Sequence, residues 1–199
     1  MARADCGLPD GAFVFCCFNS AHKITATMFD VWVRLLQAVP GSVLWLLEPH
    51  ATAADNLRRE AEARLPASST RLIFAPVLPN AEHLARLGNA DLFLDTLPYN
   101  AHTLAADSLW AGCPVVTCPG ETFASRVAGS LLHAVGLPEM VARSLEEYEA
   151  ILQRVGSGRG RRIASGARAC DIAHVLGGPV GRAAKIADDL WTRSSVVGR

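Results

Sequence analysis

Lys23 closes a short polar segment, Asn19-Ser20-Ala21-His22-Lys23, that directly follows the apolar run FVFCCF. An ammonium in that place can neutralise a diphosphate, and Asn19 can position it. A second polar segment runs from Pro76 to Arg86. Its two prolines, Pro76 and Pro79, hold the backbone extended, which leaves the peptide groups near Leu78 free to read the edge of a base. His83 and Arg86 are three apart and share a helical face. There an imidazole can stack on a planar base and a guanidinium can cover the base or its ribose. The third segment, DTLPYNAHTLAADSL, leads a Pro-Tyr-Asn-Ala loop into a helix whose first turn holds His102, Thr103 and Leu104. The free N–H groups and positive dipole end of such a terminus bind anions without many basic side chains. Asp107, five residues beyond His102, can accept hydrogen bonds from ribose hydroxyls. In a fourth segment, PGETFASRVAGS, Glu121, Thr122 and Ser125 are within reach of a sugar or phosphate, while Arg126 faces outward or pairs within the domain. Taken singly, Lys23 reads first as a solvated loop cation and Asp107 as an ordinary helical acid, while His83 reads equally as a surface histidine.

What gives these segments weight is the elements that carry them. Apolar runs rich in β-branched and aromatic residues are expected as strands at Phe13 to Phe18, Val43 to Leu47, Leu72 to Ala75, Leu92 to Asp95 and Pro114 to Thr117. Amphipathic stretches between them are expected as helices at Thr25 to Ala38, Thr52 to Leu65, Ala81 to Gly88, Thr103 to Gly112 and Phe123 to Val135. In the first of these, Phe29, Trp32, Val33 and Leu36 recur at intervals of three and four. Strands joined through helices of this length are parallel with right-handed crossovers. The fold class is therefore α/β, an open, mostly parallel Rossmann-like sheet with helices on both faces. In such sheets ligands bind beyond the carboxyl ends of the strands, which is where all four polar segments fall. Trp110-Ala111-Gly112 is a helix stop before the next strand.

The whole chain, 1–199, reads as one domain with its core at about 11–155. A Gly- and Arg-rich linker follows at about 156–170, and a C-terminal helix at about 179–193 docks on the sheet.

Composition narrows the function classes. Nineteen basic and nineteen acidic side chains cancel, so no basic field exists for a nucleic-acid backbone and any phosphate recognition is local. No stretch approaches the roughly 18 continuous apolar residues of a membrane span. The six cysteines contain no Cys-x-x-Cys pair and mostly lie in apolar runs, as buried thiols of a reducing cytoplasm do. His50, His133 and His174 have no companion at ligand spacing, so no metal and no other cofactor is expected.

In order, the segments CCFNSAHKIT, VPGSVLWLL, RLIFAPVLPNAEHLARLGNADLFLDTLPYNAHTLAADSLWAGCPVVTCPGETFASRVAGSLL and GLPEMV resemble the C-terminal half of the catalytic region of O-linked N-acetylglucosamine transferases. These belong to glycosyltransferase family 41, and the likeness is greatest to the bacterial proteins linked to tetratricopeptide (TPR) repeats. It runs from about Phe13 to Val155. It implies the C-terminal domain of a GT-B enzyme that holds UDP or a UDP-sugar, UDP-N-acetylglucosamine, and transfers the sugar with inversion to Ser or Thr hydroxyls of a protein. By matching position, Lys23, His102 and Thr103 would contact the diphosphate, Asp107 the ribose, and His83, Arg86 and the Leu78 backbone the uracil region. Lys23 would be the catalytic group.

Some positions depart from the family pattern. Leu104 stands where a second threonine is usual after His-Thr, Ser20 and Asn80 replace larger or more polar residues, and the tail after Gly156 matches poorly. Reduced donor affinity is the expectation. The family's N-terminal GT-B domain and TPR repeats have no counterpart in these 199 residues, so transfer is expected to need them. Two other readings stay open: a degenerate or orphan module that folds but neither binds donor nor transfers sugar, and a sugar-nucleotide epimerase, for which only Glu121 offers a carboxylate.

Overall fold

A computed structural model of the chain describes residues 1–48 and 50–158. Five strands, β1 (Val14–Cys17), β2 (Val43–Leu47), β3 (Leu72–Ala75), β4 (Leu92–Leu94) and β5 (Val115–Val116), form one parallel sheet in the order β3-β2-β1-β4-β5. All five expected strands are present, and the fold is the α/β sheet anticipated. β5 is shorter than Pro114 to Thr117 because Thr117 leaves the sheet to bridge Val141, its N–H donating to Met140 O at 3.1 Å and its carbonyl accepting Ala142 N at 2.9 Å.

The helices are α1 (Ala26–Ala38), α2 (Ala51–Arg64), α3 (Asn80–Leu87), α4 (Thr103–Trp110), α5 (Val127–Ala134) and α6 (Leu145–Gly156). Thr25 caps α1, its hydroxyl accepting Met28 N at 3.3 Å. Phe29, Trp32, Val33 and Leu36 are all buried against the sheet. The stop after α4 forms as expected: Gly112 takes φ 79° and Cys113 N reaches back to Ser108 O at 2.8 Å.

Two helix expectations are corrected. His50, rather than a residue at the start of Thr52 to Leu65, caps α2 through its ring Nδ1, which accepts Ala53 N at 3.3 Å. The single helix expected over Phe123 to Val135 is split. Thr122 and Ser125 close a 3-10 turn over Phe123–Ser125 with a reciprocal capping box, and α5 begins only at Val127.

α6 was not anticipated. Ser144 caps it, with its hydroxyl accepting Glu147 N at 3.2 Å, and Tyr148, Ile151, Leu152 and Val155 make its buried stripe. Its last residue, Gly156, lies so close to β1 that a Cβ there would sit 2.5 Å from Phe15 Cζ. Only a glycine lets the helix end approach the strand this closely. The linker after residue 158 and the helix expected at 179–193 lie outside the described residues.

The strand order reverses at β1. With right-handed crossovers, α1 and α2 cover one face and α3 and α4 the other. α6 packs on α1, and α5 on α4. The reversal puts the carboxyl ends of β1 and β4 side by side with their connections leaving in opposite directions, which opens a crevice between them.

Candidate functional site

The crevice is built from the loops after β1 and β4. Asn19 is 1% exposed and donates through Nδ2 to Thr96 Oγ1 at 3.0 Å. Lys23, at the end of the 3-10 turn Ala21–Lys23, donates across the gap to Asn100 O at 3.1 Å and makes a long contact of 3.5 Å to Asn19 Oδ1. Its ammonium also lies 4.0 Å from the centroid of the Tyr99 ring. Partial burial pushes the Lys23 pKa down, and the negative charge of Asp95 works against that shift. Among the described residues Lys23 forms no ion pair. Its polar partners are carbonyl and amide oxygens, neither of which carries a charge.

Tyr99 joins Lys23 to the start of α4, because its ring stacks on His102 with centroids 5.2 Å apart. His102 is the residue preceding α4, and its Nε2 lies 3.2 Å from Ala124 O. A carbonyl can only accept, so Nε2 carries the proton and Nδ1 is the ring's free nitrogen. Thr103 is exposed at the first position of α4. Asp107, one turn further on and half-buried, lies on the same helical face as Thr103. Burial raises its carboxyl pKa, and no described residue donates a hydrogen bond to that carboxylate. Leu104 packs its side chain onto the core.

The loop after β3 forms a second cluster. Among the described residues neither the N–H nor the carbonyl of Leu78 is hydrogen-bonded. His83 and Arg86 share a face of α3, as their spacing requires, but that face is buried rather than open. Arg86 is 2% exposed: Nη1 donates to Pro76 O at 2.5 Å, Nε and Nη2 meet His83 Nδ1 at 3.2 and 2.9 Å, and the guanidinium lies 4.5 Å from the Phe18 ring centroid. Donation from Arg86 makes His83 Nδ1 an acceptor. The ring is then neutral with its proton on Nε2, in keeping with a pKa lowered by burial and by the Arg86 charge. That Nε2–H is buried without a partner, and the ring meets Phe18 edge-on at 5.4 Å. Arg86 therefore holds His83 and the Pro76 loop in place.

In the loop after β5, Ser125 is buried and its Oγ accepts Thr122 N at 3.0 Å, so both side chains serve the turn. Glu121 is exposed, and Arg126 donates to Gly120 O at 2.9 Å.

Sequence reasoning missed Asp95, which reads there as the last residue of a strand. It is 1% exposed; Oδ1 accepts Thr96 N at 2.8 Å and Ala101 N at 2.5 Å, and Oδ2 accepts Thr117 Oγ1 at 2.6 Å. Burial pushes its carboxyl up to about 6 against the pull of those three donors. Asn100 was passed over too: it is fully buried, and its Oδ1 has no partner. An acid directly after an apolar strand and ahead of a Pro-containing loop was the signal available for Asp95. Nothing in the sequence marked Asn100.

With this geometry in view, comparison with known proteins gives consistent results. The profile described as Glycosyl transferase family 41 matches residues 1–170. The UDP-N-acetylglucosamine--peptide N-acetylglucosaminyltransferase of Caenorhabditis elegans is 42% identical over 156 residues, covering 78% of this chain and 14% of that protein. A probable enzyme of the same description from Arabidopsis thaliana, SEC, is 43% identical over 148 residues, covering 74% of this chain and 15% of that protein. This chain thus spans about one seventh of the length of these relatives. Among solved structures, a mutant O-GlcNAc transferase from Thermobaculum terrenum superposes with a TM-score of 0.76 at 32% identity, covering 92% of this chain and 36% of that one. Sucrose-phosphate synthase from Thermosynechococcus elongatus, at 16% identity and a TM-score of 0.52, shares the fold.

Proposed function

The chain belongs to glycosyl transferase family 41, and from that premise we propose that it is the donor-holding domain of a UDP-N-acetylglucosamine-dependent transferase acting on Ser or Thr hydroxyls of a protein. The observation that carries this reading is the bond of Lys23 Nζ to Asn100 O across the β1–β4 crevice, at the start of α4. It brings an ammonium to the helix terminus whose free N–H groups suit a phosphate. The printed names of the relatives supply the donor and the peptide acceptor.

In this reading Lys23, His102 and Thr103 meet the diphosphate, and the unpaired Asp107 carboxylate accepts the ribose hydroxyls. The free Leu78 backbone and His83, held by Arg86, border the uracil. Asn19 serves by fixing Lys23 to the Thr96 loop. The acceptor oxygen attacks the anomeric carbon as the bond to the β-phosphate oxygen breaks, with inversion, and the hydroxyl proton passes to a base outside this domain. Negative charge growing on the departing UDP is met by Lys23 and by the α4 N–H groups, which are already oriented before reaction. No metal is required by this scheme. An N-terminal GT-B domain and TPR repeats complete the enzyme, which we place in the cytoplasm.

A second reading rests on Leu104. Its side chain packs onto the core where the family pattern has a second threonine after His-Thr, which favours a module that folds but neither binds donor nor transfers sugar. Thermal melting of the chain separates the two. Donor binding raises Tm progressively with UDP, by about 2.7 kcal/mol of stabilisation at 100 times Kd. An unchanged Tm at millimolar UDP contradicts the donor-binding proposal.

A further inference from the structure

Asp95 stands outside the residues that would touch a donor, yet its bonds run to the backbone that would. Its Oδ1 accepts the first and last N–H groups of the Thr96 to Ala101 loop, at 2.8 and 2.5 Å, so a single oxygen closes that loop on itself. Its Oδ2 accepts the Thr117 hydroxyl at 2.6 Å, tying the loop to the strand beside it, and its carbonyl accepts Tyr148 Oη at 2.9 Å from α6. Within the closed loop, Thr96 Oγ1 donates to Tyr99 O at 2.7 Å and Asn100 Nδ2 to Thr96 O at 2.8 Å. That arrangement turns the Asn100 carbonyl toward Lys23, 3.1 Å away. Ala101 immediately precedes His102, so the bond to its N–H also sets the direction in which α4 begins.

We infer that Asp95 is a positioning residue for phosphate recognition: by gathering Thr96 N–H, Ala101 N–H and the Thr117 hydroxyl, it places Lys23 and the first turn of α4 together and governs selectivity for a diphosphate it does not contact. The inference rests on the donor-binding reading above. A buried carboxylate is a costly way to gain stability alone, since apolar groups of similar volume are often as good or better. Its three donors all belong to, or brace, the loop that carries Asn100.

The test compares affinities of the full chain for UDP, by titration calorimetry, and for uridine, by ligand-observed NMR. Asp95→Ala frees both loop ends and is expected to lower UDP affinity by about 30-fold while uridine affinity stays within about twofold, because two charge-assisted hydrogen bonds are lost at the phosphate side only. Asp95→Asn restores UDP affinity to within about threefold of the parent, since its Oδ1 can accept both N–H groups and its Nδ2 can donate to Thr117 Oγ1. Thr117→Val removes one brace and lowers UDP affinity about threefold, again without touching uridine. Parallel loss of UDP and uridine affinity in a folded Asp95→Ala variant, or no loss of either, overturns the inference. Should Asp95→Ala fail to fold, Thr117→Val decides, and an unchanged ratio of UDP to uridine affinity overturns it. If the parent chain binds neither molecule, the donor-binding reading itself fails, a result separable from any of these.

Discussion

The two ends of this sheet hold similar polar residues and use them in opposite ways. At the amino end Arg71 and Asp91 are engaged, although the buried Ser68 hydroxyl lacks a partner. Arg71, just ahead of β3, donates to Leu36 O at 2.6 Å, Val39 O at 2.8 Å, and the carbonyl and hydroxyl of Ser42 at 2.7 and 2.8 Å. Asp91, ahead of β4, accepts Val14 N at 2.7 Å and Arg3 Nη2 at 2.8 Å. At the carboxyl end, among the described residues, Lys23 has no acid partner, Asp107 has no donor, and His83 Nε2 and Asn100 Oδ1 are buried without partners. Exposed Val77, Tyr99 and Phe123 stand beside them. Buried polar groups normally find hydrogen bonds. Two that do not, His83 Nε2 and Asn100 Oδ1, lie at the strand-order reversal, where the proposed donor would supply partners, whereas Trp45 Nε1 and Ser68 Oγ lack partners away from it.

That contrast can be broken in four ways, taken from the largest expected effect to the smallest. Lys23→Ala removes the only lysine ammonium among the described residues and should cost UDP at least about 100-fold in affinity, roughly 2.7 kcal/mol, at little change in Tm. Titration calorimetry with a melting control measures both, and an equal loss of stability would place Lys23 among structural groups. Arg71→Ala should do the reverse, lowering stability by about 2 to 3 kcal/mol through stranded carbonyls while leaving UDP affinity unchanged. Urea unfolding gives that value, and a drop in UDP affinity would show that the two ends are coupled.

The third prediction concerns pH. Because burial raises the folded-state pKa of Asp95 to about 6, the folded protein takes up a proton that the unfolded chain, with an ordinary carboxyl, releases. This contribution to stability is present at low pH and is lost as pH rises through about 6. The groups facing Asp95 are Lys23 and Cys17 at the β1 end, Cys118 beyond β5 and Tyr148 of α6. Tm of the parent minus Tm of Asp95→Asn should therefore move in favour of the parent between pH 7.5 and pH 5. A difference that ignores pH would show that Asp95 is not titrating there. The smallest effect is expected from Leu104→Thr, which adds a hydroxyl at the first turn of α4 and should raise UDP affinity by about three- to tenfold. No gain would remove Leu104 as the cause of weakened donor binding.

How far the sequence could be read follows from what each feature depends on. Strands such as VLWLL and LIFA announce themselves because strands of a parallel sheet covered on both faces read as continuous apolar runs. The helices that connect them follow from a repeat of three and four. Strand order depends on which edges meet, which no local pattern encodes, so the closeness of Lys23 to Asn100, 77 positions apart, was reached only through the general rule for ligand sites in such sheets. α6 was legible in Ser144 followed by Tyr148, Ile151, Leu152 and Val155, and was obscured by the Gly- and Arg-rich stretch behind it. Arg86 looked like a ligand-facing cation because its spacing from His83 fixes a shared face. Spacing alone cannot say whether that face is open. Asp95 shows the opposite limit: its residue type was visible, but the convergence of Thr96, Ala101 and Thr117 on its two oxygens exists only in three dimensions.

The most direct test of the account is a crystal structure of the chain with UDP. The account predicts the diphosphate at the β1–β4 crevice, with an oxygen in hydrogen-bond reach of Lys23 Nζ and of the first N–H groups of α4, the ribose at Asp107, and the uracil beside Leu78 and His83. UDP bound anywhere else on the sheet, or a crevice left empty at saturating nucleotide, would contradict it.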